Sequence, residues 1–136
     1  PKIDGFELSA KLKSDIRTSH IPLVLLTALS DFESKKTGFK EGGDLYITKP
    51  FSPHLLELQI NNLILTKQKE ANFLRTRFLM EPTNPKIETI EEVFLQTVTK
   101  LIEKNYQSSD FNVDDLAQQA HMSYIQFYRK FKAVTG

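Results

Sequence analysis

The chain has 136 residues, 40% of them hydrophobic, with 18 basic against 17 acidic side chains and no cysteine. That is apolar material for one compact domain or two very small ones and excludes wholesale disorder, while the missing thiols exclude a disulfide scaffold or a thiolate metal site. The longest apolar run, around Ile21–Leu29, is too short to span a bilayer and no signal-peptide pattern opens the chain, so a cytoplasmic location is expected, with any membrane anchor lying elsewhere in a parent protein.

Opening on Pro1 rather than Met is expected of a piece of a longer protein. Charge is balanced along the chain: eight basic and eight acidic residues in 1–66, five of each in 67–92, and five against four in 93–136. Three of the last five bases fall within the final helix, so any preference for a polyanion rests on that helix and not on overall charge.

In chain order, Asp4 with Glu7 is expected to cap a helix carrying Phe6, Leu8 and Leu12. Pro22 leads into Leu23-Val24-Leu25-Leu26, a continuous apolar run that fits a strand buried on both faces, as in a parallel sheet. Ser30 with Glu33 caps a further helix ending at Gly42-Gly43. Leu45-Tyr46-Ile47-Thr48 reads as a second strand. Pro53, after Ser52, opens a helix at the position where proline is favoured, with Leu55, Leu56, Ile60, Leu63 and Ile64 on its buried side. The α-β-α-β-α order implies an α/β fold with a doubly wound sheet, working at the carboxyl ends of its strands, where Thr27 and Lys49-Pro50 lie.

Pro1-x-x-Asp4-Gly5, the LLTA segment ending in Thr27-Ala28, and Tyr46-x-x-Lys49-Pro50-Phe51 resemble the C-terminal half of a two-component receiver domain, a flavodoxin-like fold. The resemblance implies that Thr27 gives its hydroxyl to a phosphoryl oxygen, that Lys49 pairs with the same group, and that Tyr46 swings inward as the switch. A hydroxyl and an ammonium around a new dianion supply charge-assisted hydrogen bonds. It also implies a cis Lys49–Pro50 bond, which only an X-Pro peptide adopts cheaply. The acceptor aspartate and the Mg2+-binding carboxylates of the family belong upstream of Pro1, and Asp4 matches the loop aspartate that caps the following helix. Residues 1–66 are thus expected to form a partial receiver that accepts no phosphoryl group and holds no cofactor, Mg2+ being expected only in a complete one. The implied partners are a sensor histidine kinase domain and a second copy joined through the receiver.

Residues 67–87 read as a helical connector and linker. The preceding helix can continue through Phe73, Leu74, Phe78 and Leu79 until Pro82 and Pro85 break it, which puts a domain boundary near 81–87. A helix from about Ile90 to Asn105 follows, with Phe94, Val98, Leu101 and Ile102 at helical spacing, and opens an all-α domain over 88–136.

Asn112 with Asp115 caps the next helix, whose small apolar face is Leu116, Ala117 and Ala120. His121 and Met122 make a turn, and Ser123 with Gln126 has the spacing of a capping box for a second helix. That helix places Phe127 and Phe131 on one face and Arg129, Lys130 and Lys132 elsewhere, and no acidic residue follows Leu116. Two helices at a steep angle with a cationic second member suit the major groove of double-stranded DNA. Through its D-L-A segment, its M-S turn exit and its Y-R-K-F-K-A-V-T-G ending, Val113–Gly136 resembles the first helix-turn-helix of an AraC/XylS-type transcription factor; the family's second would follow Gly136. His121 departs from the small residue or glycine usual there, and a turn needing φ > 0 admits histidine at some cost. RTSHIPLVLLTA together with LYITKPF is similar to the receivers of Bacteroidetes-type hybrid two-component sensors, which carry an AraC-type output.

The N-terminal residues of a recognition helix usually meet base edges. Tyr124, Gln126 and Arg129 are therefore assigned to bases, and Ser123, Lys130 and Lys132 to phosphates; Gln can read adenine bidentately and Arg guanine. Tyr128 is the alternative core residue. His20, His54 and His121 have no metal-ligand spacing, and no G-x-S-x-G elbow or phosphate-binding loop is present, so an enzyme and a small-molecule substrate find no support. The leading expectation is a transcription regulator whose DNA binding is controlled by phosphorylation; the competing one is a protein-interaction or dimerisation remnant of a receiver that does not bind DNA.

Overall fold

The computed structural model describes residues 4–28, 42–80 and 89–136. In chain order these form helix α1 (Gly5–Ser14), strands β1 (Val24–Ala28) and β2 (Leu45–Lys49), the long helix α2 (Pro53–Met80), and helices α3 (Ile90–Asn105), α4 (Val113–Gln119) and α5 (Tyr124–Thr135). They group into two compact units, Pro1–Lys69 and Glu70–Gly136. The helix expected to follow Ser30 and the break expected at Pro82 and Pro85 lie outside the described residues. No helix among the described residues is long and apolar enough to cross a membrane.

In the first unit, Asp4 caps α1 as expected by accepting from the Phe6 N–H at 3.2 Å, but Glu7 does not complete a box. Its carboxylate pairs instead with Lys11, one turn on, at 2.8 Å, the exposed i,i+4 geometry that competes for a side chain at this position. The two strands pair in parallel with Leu26 opposite Ile47, Thr27 opposite Thr48 and Ala28 opposite Lys49. Among the described residues the sheet has these two strands, and Leu26 is 45% exposed, so the face of β1 that carries it is open. The expectation of a strand buried on both faces is corrected accordingly. Leu55 and Ile64 of α2 are likewise exposed rather than buried.

Two glycines make room here. Gly42 sits at φ +113 with its Cβ position 2.6 Å from the Ala10 nitrogen, and a Cβ on Gly43 would lie 2.6 Å from the Tyr46 ring. Neither position accepts a side chain without moving its neighbour.

Asp44 joins the elements of this unit. Its carboxylate accepts from the Leu23 N–H at 2.8 Å, pairs with Lys13 of α1, and pairs with Lys67 of α2 at 2.9 Å. Burial pushes the Asp44 carboxyl up, but Lys13, Lys67 and the Leu23 N–H outweigh that and hold it below the ordinary carboxylate range. Nothing in the sequence pattern singles this residue out.

In the second unit, α3 buries Phe94, Leu95 and Val98, while Ile102, expected on the same face, is 46% exposed. Thr89 and Glu92 form a capping box at its start, with the Thr89 N–H donating to Glu92 at 2.9 Å. Leu116 and Ala117 of α4, Met122, and Phe127 and Val134 of α5 complete the core together with Ala71 of α2. The Phe94 and Phe127 rings meet at 5.7 Å and a tilt of 56°.

A carboxyl held low in the folded state stabilises it above the unfolded-state value, and that contribution is lost as pH falls through the folded-state value. Asp44→Asn is therefore expected to destabilise the first unit at neutral pH by about 1–2 kcal/mol, read as lost hydrogen-exchange protection in β1 and β2 across a urea series. The gap to wild type should close as the medium is acidified below the carboxylate range.

Candidate nucleic-acid interface

The helix-turn-helix is set by three residues whose N–H groups all turn back onto α4. Ala120 donates to Leu116, His121 to Gln118 and Met122 to Ala117, each at 3.0 Å. His121 sits at φ 57, in the left-handed region, where a Cβ costs free energy. Met122, 7% exposed, fixes the turn to the core. Ser123 then caps α5: its hydroxyl accepts from the Gln126 N–H at 3.3 Å, while Gln126 Oε1 accepts from the Ser123 N–H at 3.1 Å and from its hydroxyl at 3.2 Å.

Helical spacing divides α5 into two faces. Phe127, Lys130 and Val134 point into the unit. The opposite face exposes Tyr124, Ile125, Tyr128, Arg129 and Lys132. Tyr124 and Tyr128, one turn apart, stack at 6.3 Å with 12° between ring planes, and Lys132 continues the row a turn later.

Of the six residues assigned to DNA from the sequence, Ser123, Tyr124, Gln126, Arg129 and Lys132 are exposed on or beside this face. Lys130 is not. Its side chain is fully enclosed, 3.8 Å from the Glu91 carboxylate and 5.2 Å from the centre of the Phe94 ring. An ammonium so enclosed has no path to a phosphate, and its assignment as a phosphate contact is corrected to a packing and ion-pairing role. Gln126 is exposed, yet its carbonyl oxygen is held by Ser123. Bidentate reading of adenine uses that oxygen and would break the cap. Tyr128, assigned alternatively to the core, is 53% exposed. Ile125, in the first turn of α5 and four residues before Arg129, is 60% exposed as well.

The residues assigned to a phosphoryl switch lie in the first unit. Thr27, next to last in β1, and Lys49, the last residue of β2, line one open cleft of about 310 Å³ together with Asp4, Gly5 and Phe6. Thr27 is buried, its hydroxyl 3.2 Å from the Ala28 carbonyl, whereas Lys49 is exposed and the Lys49–Pro50 bond is cis. Tyr46 does not line that cleft. Its hydroxyl accepts from the Gly43 N–H at 2.8 Å and its ring stacks on Phe6 at 6.1 Å. Among the described residues no group of three or more His, Cys, Asp or Glu side chains converges.

Residues 102–136 match the family model of bacterial regulatory helix-turn-helix proteins, AraC family. Over its whole length the chain is 35% identical to histidine kinase P4 of Formosa agariphila, of which it covers 10%. It is 26% identical over 128 residues to response regulator Rre1 of Synechocystis, a match spanning 90% of this chain and 55% of that protein. It is also 41% identical over 64 residues to the DNA-binding dual master transcriptional regulator RpaA of Synechocystis, across 47% of this chain and 27% of that one. The chain thus spans between a tenth and about half of the lengths of these curated relatives. No solved structure matches it.

Replacing His121 by glycine should relieve the left-handed turn at little loss of contact. A net gain of about 0.5–1 kcal/mol is expected after the added entropy of the unfolded chain. His121→Val should lower the thermal midpoint instead, and calorimetry of the two variants checks both signs.

Proposed function

We propose that this chain is part of a two-component transcription regulator, in which a receiver-type segment governs a helix-turn-helix that reads double-stranded DNA. It acts by binding, not by catalysis. The observation that carries the reading is the exposed face of α5: stacked Tyr124 and Tyr128, Ile125, Arg129 and Lys132, with no acidic side chain on the helix. It lies within the stretch matched by the AraC family model.

In this reading α5 enters the major groove with its first turn toward the bases. Arg129 reads guanine through its planar fork, Tyr124 contacts base edges, and Lys132 and the Ser123 end of the helix meet phosphates. Residues 1–66 act as part of a doubly wound, flavodoxin-like receiver, 67–87 as the connector and 88–136 as the DNA-binding domain. Thr27 and Lys49 would meet a phosphoryl group carried by a receiver aspartate, with Tyr46 responding as the switch. The supporting geometry is their shared cleft at the strand ends. A sensor histidine kinase domain is the phosphoryl source, and a second copy the partner through the receiver. The parent protein works in the cytoplasm, where its DNA lies.

One helix-turn-helix makes few phosphate contacts, so nonspecific affinity should be weak, on the order of 10⁻⁴ M or poorer at physiological salt. Fluorescence anisotropy with a short duplex selected by the chain from a random-sequence pool tests the reading. Lys132→Ala should flatten the slope of log affinity against log salt by about 0.9, the signature of one lost phosphate contact. Arg129→Ala should cost about 1–3 kcal/mol on the selected site and relax its specificity. Binding that ignores both salt and these substitutions would refute DNA reading by α5.

A further inference from the structure

Four charged groups that take no part in the DNA-reading face are gathered in the second unit. Glu92, 1% exposed, pairs with Arg77 of α2, and its second oxygen accepts from the Thr89 N–H at 2.9 Å. The neighbouring Glu91 pairs with Lys130 of α5 at 3.8 Å, and Lys130 lies over the Phe94 ring. Consecutive residues in the first turn of α3 thus reach two different helices, α2 on one side and α5 on the other. The far end of α5 also abuts α2, since a Cβ on Gly136 would meet Asn72 Oδ1 at 3.4 Å.

The set holds two cations and two anions, so it carries no net charge. Enclosed ion pairs of this kind seldom stabilise more than apolar residues of the same size would, because desolvation offsets their attraction. What they impose is geometry. An enclosed carboxylate that loses its cation is left unpaired at high cost, so each pair resists being drawn apart. Glu92 adds a second constraint, since moving it also opens the capping box at the start of α3.

We propose that Arg77, Glu92, Glu91 and Lys130 are positioning residues: through them helix α2 holds α5 at its docking angle, so that Arg77, which is not on the DNA-reading face, governs affinity for DNA. This rests on the reading of α5 as the DNA-binding helix. It also gives Lys130 a task, where burial denies it that of a phosphate ligand.

The test is the double variant Arg77→Met/Glu92→Gln in the full chain. It removes both charges, keeps similar volumes, and leaves a residue at position 92 that still serves a capping box. Against a short duplex selected by wild type from a random pool, affinity should fall roughly tenfold. The salt slope should stay at its wild-type value, because no phosphate contact is lost, with affinities compared well below the thermal midpoint of the variant. Unchanged affinity in the folded variant overturns the proposal, and so does a flattened salt slope, which would mean direct phosphate contact. Should the double variant fail to fold, Arg77→Lys decides: it keeps the charge but not the planar fork, and must weaken binding at an unchanged far-ultraviolet spectrum. Unchanged affinity there overturns the proposal equally. Failure of wild type to bind any duplex would instead remove the DNA-reading premise, which separates the two failures.

Discussion

An ammonium enclosed among helices must find its counter-charge there, and the second unit is arranged around that demand. Lys130 is fully enclosed, so Glu91 has to stand within reach of it and the Phe94 ring has to present its face. Glu92 beside it is enclosed as well and needs Arg77. In the proposed arrangement those pairings, with the contact between Phe94 and Phe127, hold the angle of α5 relative to α3 and the position of the last turns of α2. The face of α5 left outside is then the one carrying the stacked tyrosines, Arg129 and Lys132.

The first unit uses a similar device with a single acid. Asp44 precedes β2, accepts from the residue before β1, and gathers a lysine from α1 and another from α2. Helix α2 therefore supplies one counter-cation to each unit, Lys67 to Asp44 and Arg77 to Glu92. Both acids are held by backbone N–H groups as well as by cations, which fixes their orientation and not merely their charge. The proposed coupling between α2 and the reading helix depends on the Arg77–Glu92 pair.

Local chemistry made much of the fold legible in advance. Both strands lie where continuous apolar runs place them. The caps at Asp4, Asn112 and Ser123 are present, because Ser, Asn and Asp before a helical pattern have few other uses. Position 121, flagged as awkward for histidine, does carry a positive φ. What periodicity could not tell was which polar residue goes inside. Lys130 sits between Phe127 and Val134 on the buried stripe, so its helical phase pointed inward; its charge suggested solvent, and only the acids of α3 decide the matter. Tyr128 and Ile125 fall on the opposite phase and are exposed despite their apolar bulk. Asp44 was illegible because its partners lie up to 31 residues away in sequence, and no local pattern links Lys13, Leu23 and Lys67.

In the proposed reading one face of α5 meets DNA while the opposite face, with Lys130, stays inside. Titrating the isotope-labelled chain with the selected duplex and following its amide and side-chain resonances tests this most directly. The largest shifts are expected at Tyr124, Ile125, Tyr128, Arg129 and Lys132, with the Lys130 ammonium unmoved. Shifts centred on Lys130, or spread evenly over both units with no focus on α5, would contradict it.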